Sequence, residues 1–364
     1  MKMMRWLCII ALIIALPLSG AWLKGDPISR YTEFPPLTHY VEHAGFSWIG
    51  FAIVSLGALA FFVPLGIFLV RAWRARPKQK AAARFPSWGW FGIAWTATAW
   101  LLAWTRFEWM TPLQSFTFSP LWFGYIVVIN ALTFRQRGSC MMTAQSRYFL
   151  SLFPVSAAFW WYFEYLNRFV QNWYYVGIES MSPIQYFWMA TLPFSTVLPA
   201  VLGTYEFLDT TFGHLPERPP APPAENKPGW IPITLLAAST LGLVFLVVLP
   251  DILFPLLWLS PLFVISAFRM LAGRPPLEVE PGNSLPRRIA LLAAAALICG
   301  FFWEMWNYFS LAQWIYAVPY VNRFHIFEMP ILGYTGYLPF GIECALVGDA
   351  VRRWLSTSRS FTPG

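Results

Sequence analysis

Two short runs in this 364-residue chain pair a carboxylate with an amide. Phe163-Glu164-Tyr165-Leu166-Asn167-Arg168-Phe169 returns as Trp303-Glu304-Met305-Trp306-Asn307-Tyr308-Phe309, so both read aromatic-Glu-x-x-Asn-x-Phe. A three-residue separation stacks Glu over Asn on one helix face. Two glutamates facing one cavity can divide the work of a general acid and a general base. Arg168 follows the first pair where Tyr308 follows the second. An Arg168 that reaches Glu164 would set the two carboxylates apart as base and acid. The structural alternative is glue: Glu and Asn near a helix end hydrogen-bond across helices and hold a bundle together.

Glu343 is a third candidate, inside the apolar run Pro339-Phe340-Gly341-Ile342-Glu343-Cys344. An acid at mid-membrane costs roughly 2.5–3.5 kcal/mol even on lenient insertion scales, so it must be neutral, paired or open to water. Alignment through Leu192-Pro193-Phe194 and Leu338-Pro339-Phe340 puts Val197 at the matching position, which suggests a single specialised site. Arg323, His325 and Glu328 fall together before Pro330 and could bind an anionic headgroup with Arg168, or satisfy one another. His39 and His43 have i,i+4 spacing beside Glu42, a weak metal signal against a solvated short helix. We expect no metal site, and the sequence names no cofactor. Cys8, Cys140, Cys299 and Cys344 show neither a disulfide framework nor a Cys-x-x-Cys spacing.

The elements that must position these residues follow from composition. Hydrophobic residues make up 57% of the chain and charged residues 12%, with a mean hydropathy of +0.52. A water-soluble domain carries roughly twice that charged fraction, so lipid is the solvent for most of this surface. Apolar runs approach the ~20 residues a helix needs to cross hydrocarbon. We place about ten spans at 6–23, 47–70, 87–105, 119–134, 148–169, 188–208, 230–250, 255–271, 289–310 and 331–351. The first has the makings of a cleaved signal as well as of a retained anchor. The expected fold is therefore an all-α integral membrane protein.

The Glu-x-x-Asn match belongs to a longer internal repeat. Trp173 and Tyr175 answer Trp314 and Tyr316, Glu108-x-x-x-Pro112-Leu113 answers Asp251-x-x-x-Pro255-Leu256, and Ser119-Pro120-Leu121 answers Ser260-Pro261-Leu262. We divide the chain into 1–86 (two helices, outer loop and basic linker), repeat unit 87–210, a Pro/Ala-rich linker 211–229, repeat unit 230–355 and a tail 356–364. Four helices per unit give parallel repeats about an axis along the membrane normal. Segments 176–187 and 317–330 read as short interfacial helices. On this topology 20 of the 25 Lys and Arg lie inside, and only Lys24, Arg30, Arg106, Arg168 and Arg323 lie outside. That bias predicts an inner (cytoplasmic) membrane protein with both termini in the cytoplasm.

The net charge of +8 is then accounted for by loops that orient the chain on anionic lipid, with no nucleic-acid partner. Aromatic residues reach 19%, enough to line a pocket for a long apolar substrate as well as the interface. The leading expectation is a membrane enzyme acting on a lipid or isoprenoid with Glu164, Asn167, Glu304, Asn307 and Glu343 as its site. The alternatives are a small-solute or proton carrier and a non-catalytic assembly subunit. Substrate, reaction and oligomeric state are not legible in the sequence.

Overall fold

The computed structural model describes residues 2–36, 39–76, 81–212, 229–279 and 283–359. Most of the 211–229 linker and the end of the 356–364 tail lie outside the described residues. Eleven longer helices carry the fold. They are α1 (Lys2–Lys24), α2 (Trp48–Ala75), α3 (Ser87–Trp104), α4 (Phe118–Arg137), α5 (Ser146–Val170) and α6 (Pro183–Phe194), then α7 (Val197–Phe212), α8 (Trp230–Phe245), α9 (Pro255–Leu271), α10 (Leu285–Tyr308) and α11 (Tyr337–Arg359). Sheet is confined to two short antiparallel ribbons among the described residues.

Four helical stretches are long and apolar enough to cross a membrane: Trp48–Ala75, Pro183–Phe212, Leu285–Tyr308 and Ile331–Ser356. A fifth follows if Glu108–Phe116 and Phe118–Arg137, bent by 67°, act as one span. This is the surface of a membrane protein.

Packing pairs α3 with α4, α8 with α9 and α10 with α11, while α7 lies against α4, α5 and α10, and α1 lies along α8. Small residues set these approaches. A Cβ on Gly341 would stand 2.2 Å from the Leu292 carbonyl, so only glycine lets α11 press on α10. One large buried cluster runs through the bundle, from Leu121 and Trp122 through Leu198 to Trp306 and Leu346. Helix α2 is the exception: only Ala58 and Ala72 are buried along it. Ser47 caps its start by accepting from the Gly50 N–H at 3.2 Å.

At one end of the bundle the charges are paired. Arg288 donates to Asp349 at 3.0 Å, Arg287 to Asp209, and Arg269 and Arg353 both to Glu278. The Arg288–Asp349 pair joins residues 61 positions apart in sequence.

At the other end, of the expected interfacial helices 176–187 and 317–330, the first holds the start of α6 and the second a small ribbon, and a strand precedes each. β1 (Trp173–Val176) pairs with β2 (Gln313–Tyr316) in the register Trp173↔Tyr316, Tyr174↔Ile315, Tyr175↔Trp314, Val176↔Gln313. A second small ribbon joins His325–Ile326 to Met329–Pro330. The aromatic strand residues look interfacial by composition; what decides their form is a demand for backbone partners where water is scarce.

Candidate functional site

Each Glu-x-x-Asn stands at the last turn of a long helix, α5 or α10, just before the chain turns back as a strand. Helix α5 stops at Gln171, in the left-handed region at φ 53°, which sends residues 172–176 back past the helix end. Asn167 then meets that returning strand. Its amide donates to the Trp173 carbonyl at 2.8 Å, and its oxygen accepts from the Asn172 N–H at 2.8 Å. Asn307 does the same for β2, donating to the Trp314 carbonyl at 2.7 Å and accepting from the Trp314 N–H at 2.9 Å. The Ala317 N–H donates to the Asn172 carbonyl at 2.8 Å, so by antiparallel alternation Trp173 and Trp314 turn their backbone groups away from the partner strand. Asn307 satisfies both outward groups of Trp314, and Asn167 satisfies the Trp173 carbonyl and, at 3.4 Å, its N–H, besides the N–H of Asn172. Asn167 and Asn307, both fully buried, serve as clips that close a sheet edge.

The clip brings the strand's side chains back over the glutamate one helical turn earlier. Glu164 Oε1 accepts from the Tyr175 hydroxyl at 2.6 Å and from the indoles of Trp160 and Trp173, each at 3.2 Å. Glu304 Oε1 accepts from the Tyr316 hydroxyl at 2.8 Å and the Tyr337 hydroxyl at 2.7 Å, and Trp314 supports Tyr316 at 2.9 Å. Both carboxylates are fully buried, and among the described residues Oε2 of each has no hydrogen-bond partner. Phenol and indole donors hold a carboxylate in place without introducing a counter-charge.

The two sites differ one turn upstream. Four residues before Glu164 stands Trp160; four before Glu304 stands Gly300. A Cβ on Gly300 would meet the Tyr337 ring at 2.5 Å. Glycine therefore leaves the space that the Tyr337 ring occupies, and a phenol from α11 replaces the indole that α5 supplies to its own glutamate.

Arg168 makes its hydrogen bonds away from Glu164. Its guanidinium donates to the backbone carbonyls of Tyr31 at 2.8 Å and Glu33 at 2.7 Å, pinning the segment after α1, and makes no hydrogen bond to Glu164. Its hydrogen bonds thus go to carbonyls of a turn rather than to the glutamate four residues before it.

Between α5, α9, α10, α11 and the β1–β2 ribbon lies a cavity of about 690 Å3. Its wall is mostly apolar and rich in aromatic residues, with Trp160, Trp173, Trp258, Trp303 and Trp314 among the lining residues. Glu304 forms part of that wall. Glu164 does not, although its donors Trp160, Trp173 and Tyr175 do. Of the two glutamates expected to face one cavity, Glu304 is among the lining residues and Glu164 is not.

Glu343 is fully buried but stands outside the wall. Its Oε1 accepts from the Leu262 N–H at 3.2 Å, just past Pro261 in α9. Its Oε2, the Ser260 hydroxyl and the Tyr162 hydroxyl have no hydrogen-bond partner among the described residues. Arg323, His325 and Glu328 do not converge on one headgroup. Arg323 lies over the Phe46 ring at 4.6 Å, His325 meets Asn322 at 3.1 Å, and Glu328 accepts from Gln313 at 3.1 Å.

Sequence reasoning missed a His–Asp pair. His43 Nδ1 lies 2.6 Å from Asp251, whose other oxygen accepts from the Ala44 N–H at 2.9 Å. His43 Nε2 lies 3.2 Å from the Gln171 carbonyl, and Asp251 lines the cavity. The only signal was Asp251 in the repeated Asp-x-x-x-Pro-Leu; nothing local ties it to a histidine 208 positions away. His39 does not join this pair, and no cluster of three or more metal-ligating side chains occurs among the described residues. Comparison with protein families, curated proteins and solved structures returns no match to this chain.

Proposed function

We propose that this chain is a multi-pass membrane enzyme that holds a lipid or isoprenoid in the aromatic cavity, with Glu304 as its acid/base group and Glu164 as a buried counterpart. The observation that carries the reading is the 690 Å3 cavity whose wall is rich in aromatic residues and includes a fully buried carboxylate with one uncommitted oxygen. Small-molecule sites have this size and this makeup, apolar walls with a few placed polar groups. Asn167 and Asn307 act here as positioning residues, through the strands that deliver Tyr175 and Tyr316. The wall's carboxylates are Asp251 and Glu304, so a proton relay through Glu343 finds no adjoining member in it.

In this reading the cavity belongs to two parallel four-helix units, within about ten spans, with both termini in the cytoplasm. The ladder register supports the repeat: Trp173↔Tyr316 and Tyr175↔Trp314 exchange into one another when the two Trp-x-Tyr segments are swapped. The cavity wall supports it too, since Pro193 and Phe194 face it together with their counterparts Pro339 and Phe340.

The test compares lipid and pigment extracts of wild-type, deletion and Glu304→Gln cells, with folded yield measured in detergent. The expected result is a lipid species altered in the deletion and altered in the same way by Glu304→Gln at normal yield. An unchanged extract in the deletion overturns the enzyme reading.

A further inference from the structure

The cavity wall has a one-sided charge. Its charged residues are Asp251 and Glu304; no Lys, Arg or His lies among the described residues that line it. Asp251 is committed, with His43 on one oxygen and the Ala44 N–H on the other. Two buried wall atoms remain uncommitted acceptors: Glu304 Oε2, on a fully buried residue, and Asn172 Oδ1, on a residue 3% exposed. The Asn172 amide nitrogen already donates to the Ala317 carbonyl at 3.3 Å, which fixes its oxygen as the free end. Three wall hydroxyls are spent, because those of Tyr175, Tyr316 and Tyr337 all point to the glutamates. The Tyr186 hydroxyl is uncommitted and can serve either way. Indole and phenol faces make up much of the rest, and such faces attract positive charge.

A phosphate or carboxylate head placed here would meet a buried carboxylate and no cation, which is the arrangement that rejects a ligand. A hydroxyl or ammonium head would instead donate to Glu304 Oε2 or Asn172 Oδ1, both buried and needing a side-chain rotation to reach the cavity surface, while its chain packs on the aromatic wall. We propose that the cavity selects a long-chain amphiphile whose head donates hydrogen bonds and carries no negative charge, and that it excludes phosphorylated lipids and prenyl diphosphates. This rests on reading the cavity as the lipid or isoprenoid site.

The experiment uses the purified full chain in detergent and three probes with the same saturated chain: an alkyl alcohol, an alkylamine and an alkyl phosphate. Binding is followed by native mass spectrometry and by the shift in thermal midpoint. The alcohol and amine are expected to bind saturably, and the phosphate at least about tenfold more weakly. Glu304→Gln should weaken the amine by about tenfold or more, because a charge-assisted bond becomes a neutral one, and should change the alcohol less. Ala312→Trp, which places bulk at the cavity wall, is the control for location. If the phosphate binds as well as the alcohol and Ala312→Trp abolishes both, the head selection is overturned while the cavity reading stands. If no probe binds, or all bind Ala312→Trp undiminished, both fall. Should Glu304→Gln fail to fold, the phosphate-to-alcohol ratio on the wild-type chain still decides.

Discussion

Replacing Asn307 by Ala tests whether the Glu-x-x-Asn spacing is a strand clip. The substitution removes the bond from the Trp314 N–H at 2.9 Å and the bond to the Trp314 carbonyl at 2.7 Å. Both backbone groups then lack a partner, and each such group costs about 1–3 kcal/mol when buried, for a total of about 2–6 kcal/mol. Trp314 is only partly buried, so the lower half of that range applies, about 2–4 kcal/mol. Asn307→Asp keeps the acceptor and loses the donor, and should cost roughly half as much. Equilibrium unfolding in mixed micelles, followed by far-UV circular dichroism, gives both numbers. Asn167 clips the other strand of the same ribbon, so Asn167→Ala and Asn307→Ala should fall short of additivity by about 0.5–3 kcal/mol in the double variant. An Asn307→Ala chain within about 0.5 kcal/mol of wild type, the range of an ordinary surface change, refutes the clip.

Gly300→Ala should destabilise by about 1–3 kcal/mol, because its methyl overlaps the Tyr337 ring and nothing nearby can yield cheaply. Gly300→Trp should fold only together with Tyr337→Ala, which rebuilds at Glu304 the indole pattern of Trp160 and Glu164; folded yield of the single and double variants decides. Tyr337→Phe keeps the ring and removes one donor to Glu304, an expected loss of about 1.5–3 kcal/mol in the same unfolding assay. At the opposite end, burial works against the charge of Glu278, but hydrogen bonds and charge from Arg269 and Arg353 outweigh it and hold the carboxyl below its ordinary value. The stability this contributes is present above the unfolded pKa of ~4.3 and is lost as the pH falls through the lower folded value. Glu278→Gln should flatten that acid limb of the pH–stability curve.

Helices were legible because long apolar runs admit few other forms, and the apolar runs containing Glu164 and Glu304 are indeed α5 and α10. The motif itself was legible as a pairing of Glu with Asn. Its purpose was not, because Asn167 and Asn307 answer backbone groups five to seven residues downstream, on strands too short to show a period. Arg168 misled for a related reason: the strongest partner for a guanidinium in sequence was a nearby acid, whereas the turn after α1 offers two unpaired carbonyls. The exchange of Trp160 for Gly300 is visible as letters, but its meaning depends on a ring delivered by Tyr337, 37 positions later in sequence (337−300). The His43–Asp251 pair joins segments that share no local signal at all.

Helix α2 has a consequence for how the cavity meets its surroundings. It is 28 residues long, and an 18-residue window of it is only 6% buried within the protein. At 1.5 Å per residue it measures about 42 Å, more than the ~30 Å of hydrocarbon it must cross. A helix with so little protein beside it takes its tilt from the bilayer. Its first turns are tied down, through the Ser47 N–H to the Tyr320 carbonyl at 2.9 Å and through Ala58 against Val321 and Leu332. Gly50 and Val54, in that tethered stretch, belong to the cavity wall. The far end of α2 is held as well, with Ala72 buried and Phe68 and Leu69 against the main cluster, so a change in bilayer thickness has to be absorbed between two ties, one of which borders the cavity.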